Sequence, residues 1–485
     1  MTKKLKHIIK NTDAKHITGS LDIEIKGISF DSHKTEKGDL FVAVKGVQTD
    51  GHQFIENAVQ KGAVAVLAEN VDTIINTSVS ILQSNDTSKA LSFVASEFYD
   101  NPSEKLKLIG IAGTNGKTTT ATLLYKYFRK ANYKVGLIST VKNYINDKEI
   151  DADYTTPDAL TFNKLLKQMC DAGCNYCFAE VSSHAVHQNR TASLHFAGGV
   201  FTNITHDHLD YHKTFAEYLK VKKQFFDNLP KSSFALVNID DKNGRTMLQN
   251  TEAETHTYAL KNFADYKGKI LEMHLGGTLM SINNIEFWSL LTGTFNAYNL
   301  TAVFATAVLT GQPSEDVLRI LSSLKPVKGR FETVKHKGIT AIIDYAHTPD
   351  ALEKVLKAIH EIKSENQKII TVVGAGGNRD KTKRPLMAQI ANIASDKVIL
   401  TSDNPRDEDP ELILEDMLTG IKENEKIGLV KITDRKDAIK VASIFAQKGD
   451  IILIAGKGHE DYQIIKGKKY HFDDKEIIEN FLNEL

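Results

Sequence analysis

The segment Gly113-Thr114-Asn115-Gly116-Lys117-Thr118 has the residue types of a phosphate-binding loop. It follows an apolar predicted strand, residues 106–112, and opens a predicted helix. Glycines let the backbone turn so that its N–H groups point at phosphate oxygens. Lys117 adds a positive charge, Thr118 a hydroxyl for Mg²⁺, and the helix N-terminus a favourable dipole. A strict Walker A motif has a glycine where Ile111 stands, so this is a shortened variant, and we expect ATP as its ligand rather than a purely structural turn.

Imidazole and carboxylate side chains are concentrated in residues 203–212, after a predicted strand. Their order is close to the His-x-His-x-Asp-His pattern of binuclear metallohydrolases, but Tyr211 separates Asp210 from His212, so that pattern is missed. Because a phosphate loop lies upstream, Mg²⁺ bound to ATP is the simpler prediction, with hard oxygen ligands and one imidazole. Glu180, at the end of another predicted strand, is the candidate carboxylate. The alternative is that about half of these histidines only cap or hydrogen-bond.

Three predicted strands in the last third of the chain lead into polar or glycine-rich loops. Open α/β sheets bind ligands beyond the carboxyl ends of their strands, so we expect a second part of the site there. The strands and the loops that follow them are residues 369–373 and 374–380, 397–401 and 403–406, and 451–455 and 456–460.

The length of 485 residues predicts several domains. Strands alternate with helices, which favours an α/β fold with parallel sheets. Breaks at Asn101-Pro102 and around Gly329-Arg330 divide the chain into three. We expect a mixed α/β N-terminal domain (residues 1–100), a central domain with a parallel sheet like that of P-loop ATPases (101–330) and a Rossmann-like C-terminal domain (331–485).

The charges balance, with 61 Lys plus Arg against 61 Asp plus Glu, so no overall field favours nucleic acid or an anionic membrane. No stretch approaches the roughly 20 apolar residues of a membrane span, and no apolar signal core follows the N-terminus. Cys170, Cys174 and Cys177 are expected to be reduced and structural. We therefore expect a cytoplasmic protein without nucleic-acid partners or membrane insertion, and a monomer.

The chain resembles the Mur ligases, and the resemblance spans almost all of it. The motifs that carry it stand in the family's order and are the phosphate loop through Thr120, Glu180-Val181-Ser182-Ser183-His184, the segment around His208, Phe295-Asn296-Ala297-Tyr298-Asn299, Gly329-Arg330-Phe331-Glu332 and Asp344-Tyr345-Ala346-His347-Thr348-Pro349. The resemblance implies a ligase of peptidoglycan precursor synthesis that uses ATP and Mg²⁺. It would form an amide bond through an acyl phosphate.

The resemblance also implies an ATP site and a metal site. The ATP-binding residues would be Gly113, Thr114, Asn115, Gly116, Lys117, Thr118, Thr119, Asn296, Asn299, Arg330, Asp344 and His347. The catalytic residues would be Lys117, Glu180, His208 and Lys222, and the metal ligands would be Thr118, Glu180, His208 and Lys222. Lys222 aligns with a lysine that the family carbamylates, and carbamylation would turn a cation into an anion able to bind a second Mg²⁺.

A UDP-N-acetylmuramoyl dipeptide is the acceptor substrate that the resemblance implies. Its binding residues would be Ser32, Gln48, Thr155, Thr156, Ser182, Gln188 and Arg190. Two departures touch the nucleotide site: His33 stands where the family usually has an arginine, and Val47 where it often has a histidine.

Within the family, Asp403-Asn404-Pro405-Arg406 resembles the members that add meso-diaminopimelate. In those members the arginine engages the far carboxylate of the amino acid, whereas lysine-adding members generally lack it. A guanidinium matches a carboxylate in bidentate geometry and repels an ammonium. Arg379, Gly456 and Glu460 would complete the pocket with Asp403, Asn404 and Pro405. The alternatives are a lysine-adding ligase, a folylpolyglutamate synthase and a non-catalytic nucleotide-binding regulator.

Overall fold

The computed structural model describes residues 1–46, 49–72, 78–422 and 428–484. These residues form three large sheets that follow one another along the chain, and two small two-stranded sheets. The three-part α/β fold predicted from the sequence is confirmed.

The N-terminal sheet has the strand order β2-β7-β6-β5-β4, parallel except for the antiparallel pair β2–β7. This part is therefore mixed α/β, as predicted. Its elements are β1 (Lys3–Lys4), α1 (Leu5–Ile8), β2 (Lys15–Thr18), β3 (Glu24–Ile25), β4 (Gly27–Ser29), β5 (Asp39–Val42), α2 (Ile55–Gln60), β6 (Ala65–Ala68), β7 (Ser80–Gln83) and α3 (Thr87–Phe98).

The central sheet is the largest, and it carries helices on both faces. Its elements are β8 (Lys107–Ala112), α4 (Lys117–Lys130), β9 (Val135–Ile138), β10 (Asn143–Ile145), β11 (Lys148–Ile150), α5 (Ala159–Asp171), β12 (Tyr176–Val181), α6 (Ser183–His187), β13 (Gly198–Phe201), α7 (Leu209–His212), α8 (Phe215–Asp227), β14 (Phe234–Asn238), β15 (Glu254–Ala259), β16 (Tyr266–His274), β17 (Gly277–Ile282), β18 (Ile285–Ser289), α9 (Thr294–Leu309) and α10 (Ser314–Leu321). The strand order is β11-β10-β9-β12-β8-β13-β14-β15-β16-β17-β18.

The middle of the central sheet is parallel, as predicted, but both edges are antiparallel. These edges are hairpins, which the alternation of strands and helices along the sequence did not predict. Asn283 and Asn284 form the turn between β17 and β18 with φ values of +49° and +68°. Asparagine tolerates this left-handed region, and two such residues in succession are typical of a tight hairpin.

Strand β8 positions the phosphate loop because it is buried on both faces. Ile109 and Ile111 pack into the core beneath α4 and α9, while Leu108 and Ala112 pack into the core beneath α5 and α8. Alternate residues of a strand point to opposite faces, so an unbroken apolar run is what a central parallel strand requires. Each fully buried aliphatic side chain contributes about 1.5–3 kcal/mol, so the end of β8 is firmly anchored.

The C-terminal sheet is Rossmann-like, as predicted, with the order β19-β20-β24-β21-β22-β23 and only the edge pair β19–β20 antiparallel among the described strands. Because β24, β21 and β22 are neighbours, the loops that follow them converge. The elements are β19 (Glu332–His336), β20 (Ile339–Asp344), α11 (Pro349–Ile362), β21 (Ile369–Ala375), α12 (Lys383–Ala394), β22 (Lys397–Ser402), α13 (Pro410–Leu418), β23 (Leu429–Lys431), α14 (Arg435–Phe445), β24 (Ile451–Ala455), β25 (Tyr462–Ile465), β26 (Lys468–His471) and α15 (Asp474–Glu484).

Two further expectations bear on the class of protein. In the part of the chain that the structure describes, no helix has the length and apolarity needed to cross a membrane. The three cysteines are free thiols, and burial raises the pKa of the Cys177 thiol well above its usual value. Cys177 is therefore an unreactive core residue, as its apolar surroundings predicted.

Candidate active site

A cavity of about 900 Å³ lies between the carboxyl ends of the central and C-terminal sheets. The phosphate loop forms one end of it, and the loops after β22 and β24 form the other. It brings together most of the side chains that the sequence singled out. Those lining it are Thr114, Asn115, Gly116, Lys117, Thr118, Thr119, Thr155, Thr156, Glu180, Ser182, Arg190, His208, Asn299, Arg330, Asp344, His347, Arg379, Asp403, Asn404, Arg406, Gly456 and Glu460.

Both glycines of the phosphate loop are required by close approach and by backbone angle. Gly113 has φ +151°, and a Cβ there would lie 1.9 Å from Thr202 Oγ1. Gly116 has φ +85°, and a Cβ there would lie 2.6 Å from Asn299 Oδ1. No other residue fits these positions without displacing its neighbours. The loop thus leads directly into α4, whose first residue is Lys117.

Two lysines, the half-buried Lys117 and the buried Lys222, converge on the carbonyl oxygen of Gly113. Lys117 Nζ donates to it at 2.9 Å and to Thr114 O at 2.8 Å, and Lys222 Nζ donates to it at 2.8 Å. Burial lowers the pKa of Lys117. Burial, and then the neighbouring charge of Lys117, hold the pKa of Lys222 well below its usual value. Burial beside a second cation therefore disfavours the protonated form of Lys222.

Glu180 connects the phosphate loop to the neighbouring strand end. Its side chain is fully buried; Oε2 accepts from Thr118 Oγ1 at 2.9 Å, and Oε1 accepts from Thr140 N at 2.8 Å. Arg330 Nη2 donates to the same Thr118 oxygen at 3.2 Å. A carboxylate, a hydroxyl and a guanidinium thus meet beside the loop, a set suited to a phosphate and its counterion.

The residues present fit a Mg²⁺ ion that is bound mainly through ATP. Within the described residues, no group of three His, Cys, Asp or Glu side chains is placed to hold a metal. Mg²⁺ keeps waters and substrate phosphates as ligands and needs only one or two protein oxygens, which Glu180 and Thr118 offer. His208 lines the same cavity, and burial lowers its pKa despite the opposing charge of Asp207, so it presents a neutral imidazole.

Residues at the carboxyl end of β20, together with Arg330, add aromatic and charged groups to the cavity wall. Burial raises the pKa of Asp344 to about 6, against the opposing effect of Arg330, and Asp344 Oδ2 accepts from Phe331 N at 2.7 Å. The Arg330 guanidinium lies 4.4 Å from the centre of the Tyr345 ring. Burial lowers the pKa of His347 to about 4, so this imidazole is neutral too.

The far end of the cavity is built from the loops after β22 and β24. Arg406 Nη1 donates to Gly377 O at 2.8 Å, and the residue lines the cavity. Asn404 Nδ2 donates to Glu460 Oε2 at 2.8 Å. Burial opposes ionisation of Asp403, but Lys457 and Arg435 outweigh it and lower the Asp403 pKa. This end offers carboxylates and a guanidinium together, a set suited to a ligand that carries both kinds of charge.

Comparison with known proteins matches the whole chain to one family. The profile described as the Mur ligase middle domain matches residues 111–307, that of the glutamate ligase domain of Mur ligases residues 329–458, and that of the catalytic domain of the Mur ligase family residues 24–99. A curated relative from Phocaeicola vulgatus, named UDP-N-acetylmuramoyl-L-alanyl-D-glutamate--2,6-diaminopimelate ligase, is 56% identical over 483 residues, 99% of this chain and 100% of the relative.

The chain belongs to the Mur ligase family.

Solved structures agree with this assignment. A structure of a ligase with the same name as that relative has a TM-score of 0.71 at 32% identity, and covers 100% of this chain and 99% of its own. A folylpolyglutamate synthase of Mycobacterium tuberculosis, solved with ADP and AMPPCP, has a TM-score of 0.63 at 16% identity, and covers 76% of this chain and 92% of its own. The second likeness shows the fold alone. The folate alternative therefore rests on shared architecture, whereas the Mur ligase assignment rests on the full sequence.

Several residues predicted from the Mur ligase resemblance lie behind the cavity wall or away from it. Asn296 accepts from Asn299 Nδ2 at 3.2 Å and so supports a residue that does line the cavity. Gln188 Oε1 accepts from both Nε and Nη2 of Arg190. Ser32 is buried in the N-terminal part, and Gln48 lies outside the described residues. Those absent from the wall of the cavity, among the described residues, are Ser32, Gly113, Gln188, Lys222, Asn296 and Pro405.

The cavity wall around Thr156 and Arg190 is held by hydrogen bonds between its own residues. Thr156 Oγ1 donates to Glu180 O at 2.7 Å and accepts from Ser182 N at 3.0 Å. Arg190 Nη1 donates to Thr156 O at 2.8 Å, and its guanidinium faces the ring of Tyr154 at 5.7 Å. Thr156 and Arg190 therefore fix the backbone around the cavity as well as lining it.

Sequence reasoning missed several charged residues of the site, and two of them make contacts that matter for its assembly. Asp350 Oδ2 accepts from Asn115 Nδ2 at 2.7 Å and from Thr205 Oγ1 at 3.0 Å, so a residue of the C-terminal part contacts the phosphate loop directly. Lys383 lines the cavity and donates to His347 O at 2.9 Å. Asp350 directly follows the Thr348-Pro349 motif at the first turn of α11, a signal that was present in the sequence.

Proposed function

We propose that this Mur ligase adds meso-diaminopimelate to UDP-N-acetylmuramoyl-L-alanyl-D-glutamate at the expense of ATP. One observation carries the proposal: a single cavity has the phosphate loop at one end and Arg406 at the other. The relatives named for this reaction match the chain over its full length, which supports the same choice of amino acid. The reaction belongs to peptidoglycan precursor synthesis.

The first step activates the acceptor. The γ-phosphoryl group of ATP passes to the γ-carboxylate of the D-glutamyl residue, giving an acyl phosphate and ADP. Lys117, the loop N–H groups and Arg330 supply positive charge where the phosphoryl oxygens gather negative charge. Mg²⁺, when held by Glu180, Thr118 and His208, would offset the remaining charge. Asn299 and His347 lie where they can contact the nucleotide.

Lys222 is proposed to act as a carbamate. The uncharged amine is the form that attacks carbon dioxide, and burial beside Lys117 favours that form. The product carries a negative charge, which the cation Lys117 would stabilise and a second Mg²⁺ would bind. Without carbamylation, a protonated Lys222 has no oxygen atom and no lone pair with which to bind Mg²⁺.

The second step forms the amide. An amine of diaminopimelate attacks the acyl carbonyl carbon, the C–N bond forms, and phosphate leaves. Arg406 and Arg379 would hold carboxylates of the amino acid, and Glu460 with Asp403 would hold an ammonium. The cavity lies between two sheets, so the reactive acyl phosphate is sheltered from water.

The remaining assignments follow from this reaction. We assign residues 1–100 to the uridine nucleotide, with Ser32 and Gln48 as contacts, residues 101–330 to ATP, and residues 331–485 to the amino acid. Thr155, Thr156, Ser182, Gln188 and Arg190 would bind the muramoyl peptide. A cytoplasmic location and a monomeric state remain predictions.

Phosphate release tests the proposal. With ATP and UDP-N-acetylmuramoyl-L-alanyl-D-glutamate, we expect release with meso-diaminopimelate and little with L-lysine. Arg406→Ala should raise the KM for diaminopimelate about 100-fold, because a charge pair in a secluded pocket loses one partner. Arg406→Lys keeps the charge but loses the bidentate guanidinium. Its KM for diaminopimelate should lie between those of the wild type and Arg406→Ala.

Three results would contradict parts of the proposal. Equal activity with lysine would remove the specificity assignment and leave the ligase. Glutamate addition to a folate would favour the folylpolyglutamate synthase alternative. Nucleotide binding without any product would favour a regulator.

A further inference from the structure

Lys457 is a fully buried lysine in the loop Gly456–Glu460, and no step proposed above uses it. Its side chain has no exposed surface, and Nζ donates to Glu460 Oε2 at 3.0 Å and to Asn404 Oδ1 at 3.4 Å. It also donates to Tyr462 O, with the ring of Tyr462 at 5.6 Å. A lysine is almost never buried this completely unless its partners are arranged to receive it.

The partners of Lys457 are the side chains that would bind the amino acid. Asn404 Nδ2 donates to the same Glu460 oxygen that Lys457 contacts, at 2.8 Å, so the three side chains form a closed triangle. Asn404 Oδ1 faces two donors, Lys457 Nζ and Ile464 N, the latter at 2.9 Å. The amide can satisfy these contacts in one orientation only, so Lys457 fixes both Asn404 and the carboxylate.

The same lysine anchors the hairpin β25–β26, which in turn holds Arg406. Arg406 N donates to Ile464 O at 3.0 Å, and Arg406 O accepts from Lys466 N at 2.6 Å. Arg406 has φ +54°, a left-handed conformation that a non-glycine residue keeps only where its surroundings hold it. Because Lys457 bonds the first residue of the hairpin, it links the position of Arg406 to that of Glu460.

Three acids and two fully buried cations meet around Lys457 in the described part of the chain. Asp403, Glu460 and Asp474 share Lys457 and Arg435, and Arg435 Nη2 pairs with Asp474 at 2.8 Å. Burial and the nearby Asp403 raise the pKa of Glu460, although Lys457 opposes them. An ammonium group entering from the cavity would stabilise the charged form of Glu460.

Charged groups also face this cluster from the cavity side. They are Arg379, Asp380, Lys383 and Arg406, and His347 contributes a neutral ring. The guanidinium of Arg406 and the carboxylate of Glu460 both line this pocket. The contacts of Lys457 with Glu460 and with the hairpin β25–β26 connect the segments that carry them.

We propose that Lys457 is a positioning residue for the amino-acid substrate, because it fixes the spacing between Glu460, which receives an ammonium group, and Arg406, which receives the far carboxylate. This inference rests on the proposed function. It adds a residue that touches no substrate but sets which length of diamino acid fits.

The test is Lys457→Met in the full-length enzyme, since methionine keeps the length of the side chain and removes its charge. We expect the KM for meso-diaminopimelate to rise about 30-fold. The KM for ATP and for the UDP-linked dipeptide should change by about twofold or less. The preference for diaminopimelate over L-lysine should fall, because both ends of the pocket lose their fixed separation.

Lys469→Met is the matched control. Lys469 lies over the same Tyr462 ring at 4.6 Å, but it is exposed on the hairpin surface. The Lys469→Met variant should leave the KM for diaminopimelate unchanged. An unchanged KM in Lys457→Met, or an equal rise in the KM values of all three substrates, would overturn the inference.

A double variant decides the case in which Lys457→Met folds poorly. Lys457→Met/Glu460→Gln removes the carboxylate left without its cation and should recover much of the melting temperature. If Lys457 acts through Glu460, the KM of the double variant equals that of Glu460→Gln alone. If the KM increase of the double variant equals the product of the increases in the two single variants, Lys457 acts independently of Glu460. That result would overturn the inference. A wild-type enzyme inactive with diaminopimelate would instead contradict the proposed function.

Discussion

Two buried lysines, Lys222 at the phosphate end of the cavity and Lys457 at the amino-acid end, are treated differently by the fold. Lys222 donates to the backbone carbonyl of Gly113, which it shares with Lys117. Lys457 donates to the carboxylate of Glu460. One end therefore gathers positive charge, whereas the other pairs its buried cation with an acid.

The difference indicates how each end is completed. At the phosphate end Glu180 and Asp207 partly offset the charge of Lys117, and a polyphosphate or a carbamate on Lys222 would supply further negative charge. At the amino-acid end the buried lysine is already paired with Glu460, and an ammonium group would join that pair. The phosphate end is suited to stabilising the charge of a transferring phosphoryl group. The amino-acid end is suited to recognising a substrate by the distance between its charged groups.

Replacing Lys222 should give the largest effect. Lys222→Ala is expected to lower kcat about 10²–10³-fold. The variant loses the carbamate that would bind a second Mg²⁺ beside the phosphoryl oxygens. The KM for diaminopimelate should change little. Steady-state phosphate release measures both quantities.

Lys220→Ala is the control for that prediction, because Lys220 lies two residues earlier on α8 and its side chain is 68% exposed. It should retain activity to within about twofold. A similar loss in both variants would contradict the distinction between the two lysines and place the effect in the helix.

The region between the two ends gives a smaller effect, on stability. The ring of His459 packs on Tyr345 at 4.8 Å, and its buried Nδ1 has no hydrogen-bond partner among the described residues. Burial, together with the charge of Arg330, lowers the pKa of His459 to about 2. Because the folded pKa is lower than the unfolded one, the unfolded chain binds the proton first, and the contribution to stability falls as pH drops below the usual value of about 6.5.

His459→Phe should remove that penalty. Relative to the wild type, its free energy of unfolding should improve by about 2 kcal/mol on going from about pH 6.5 to about pH 5. Urea unfolding at both pH values measures the change. His471→Gln is the control, since His471 is exposed and Glu476 raises its pKa, so its loss should bring no gain at low pH. A pH-independent difference for His459→Phe would contradict the assignment.

Much of the phosphate end could be predicted from the sequence because its signals are local. The strand, the glycine turn and the helix are consecutive, and the apolar pattern even distinguishes the lysines of α8. Tyr218, Val221, Lys222, Phe225 and Phe226 are all buried, at the spacing of one helix face, whereas Lys220 lies off it. That spacing indicates that Lys222, rather than Lys220, faces the interior.

The amino-acid end could be predicted only in part, because its contacts join distant segments. The loops after β22 and β24 were expected at a sheet edge, but Gly456-Lys457-Gly458 gives no sign that its lysine is buried. The burial depends on a hairpin and on Asn404, 53 residues away. The antiparallel edges of the central sheet were missed for a different reason. The alternation of strands and helices predicts parallel pairing, although Asn283 and Asn284 are a local signal for a hairpin.

The most direct test separates the two ends within one turnover. The enzyme is mixed with ATP and UDP-N-acetylmuramoyl-L-alanyl-D-glutamate without amino acid, the acyl phosphate is trapped by borohydride reduction, and diaminopimelate is then added to a parallel sample. We predict that Lys222→Ala forms almost no acyl phosphate. Lys457→Met should form it at the wild-type rate and convert it slowly to the amide. Failure of both variants at the same step would contradict the division of labour between the two ends.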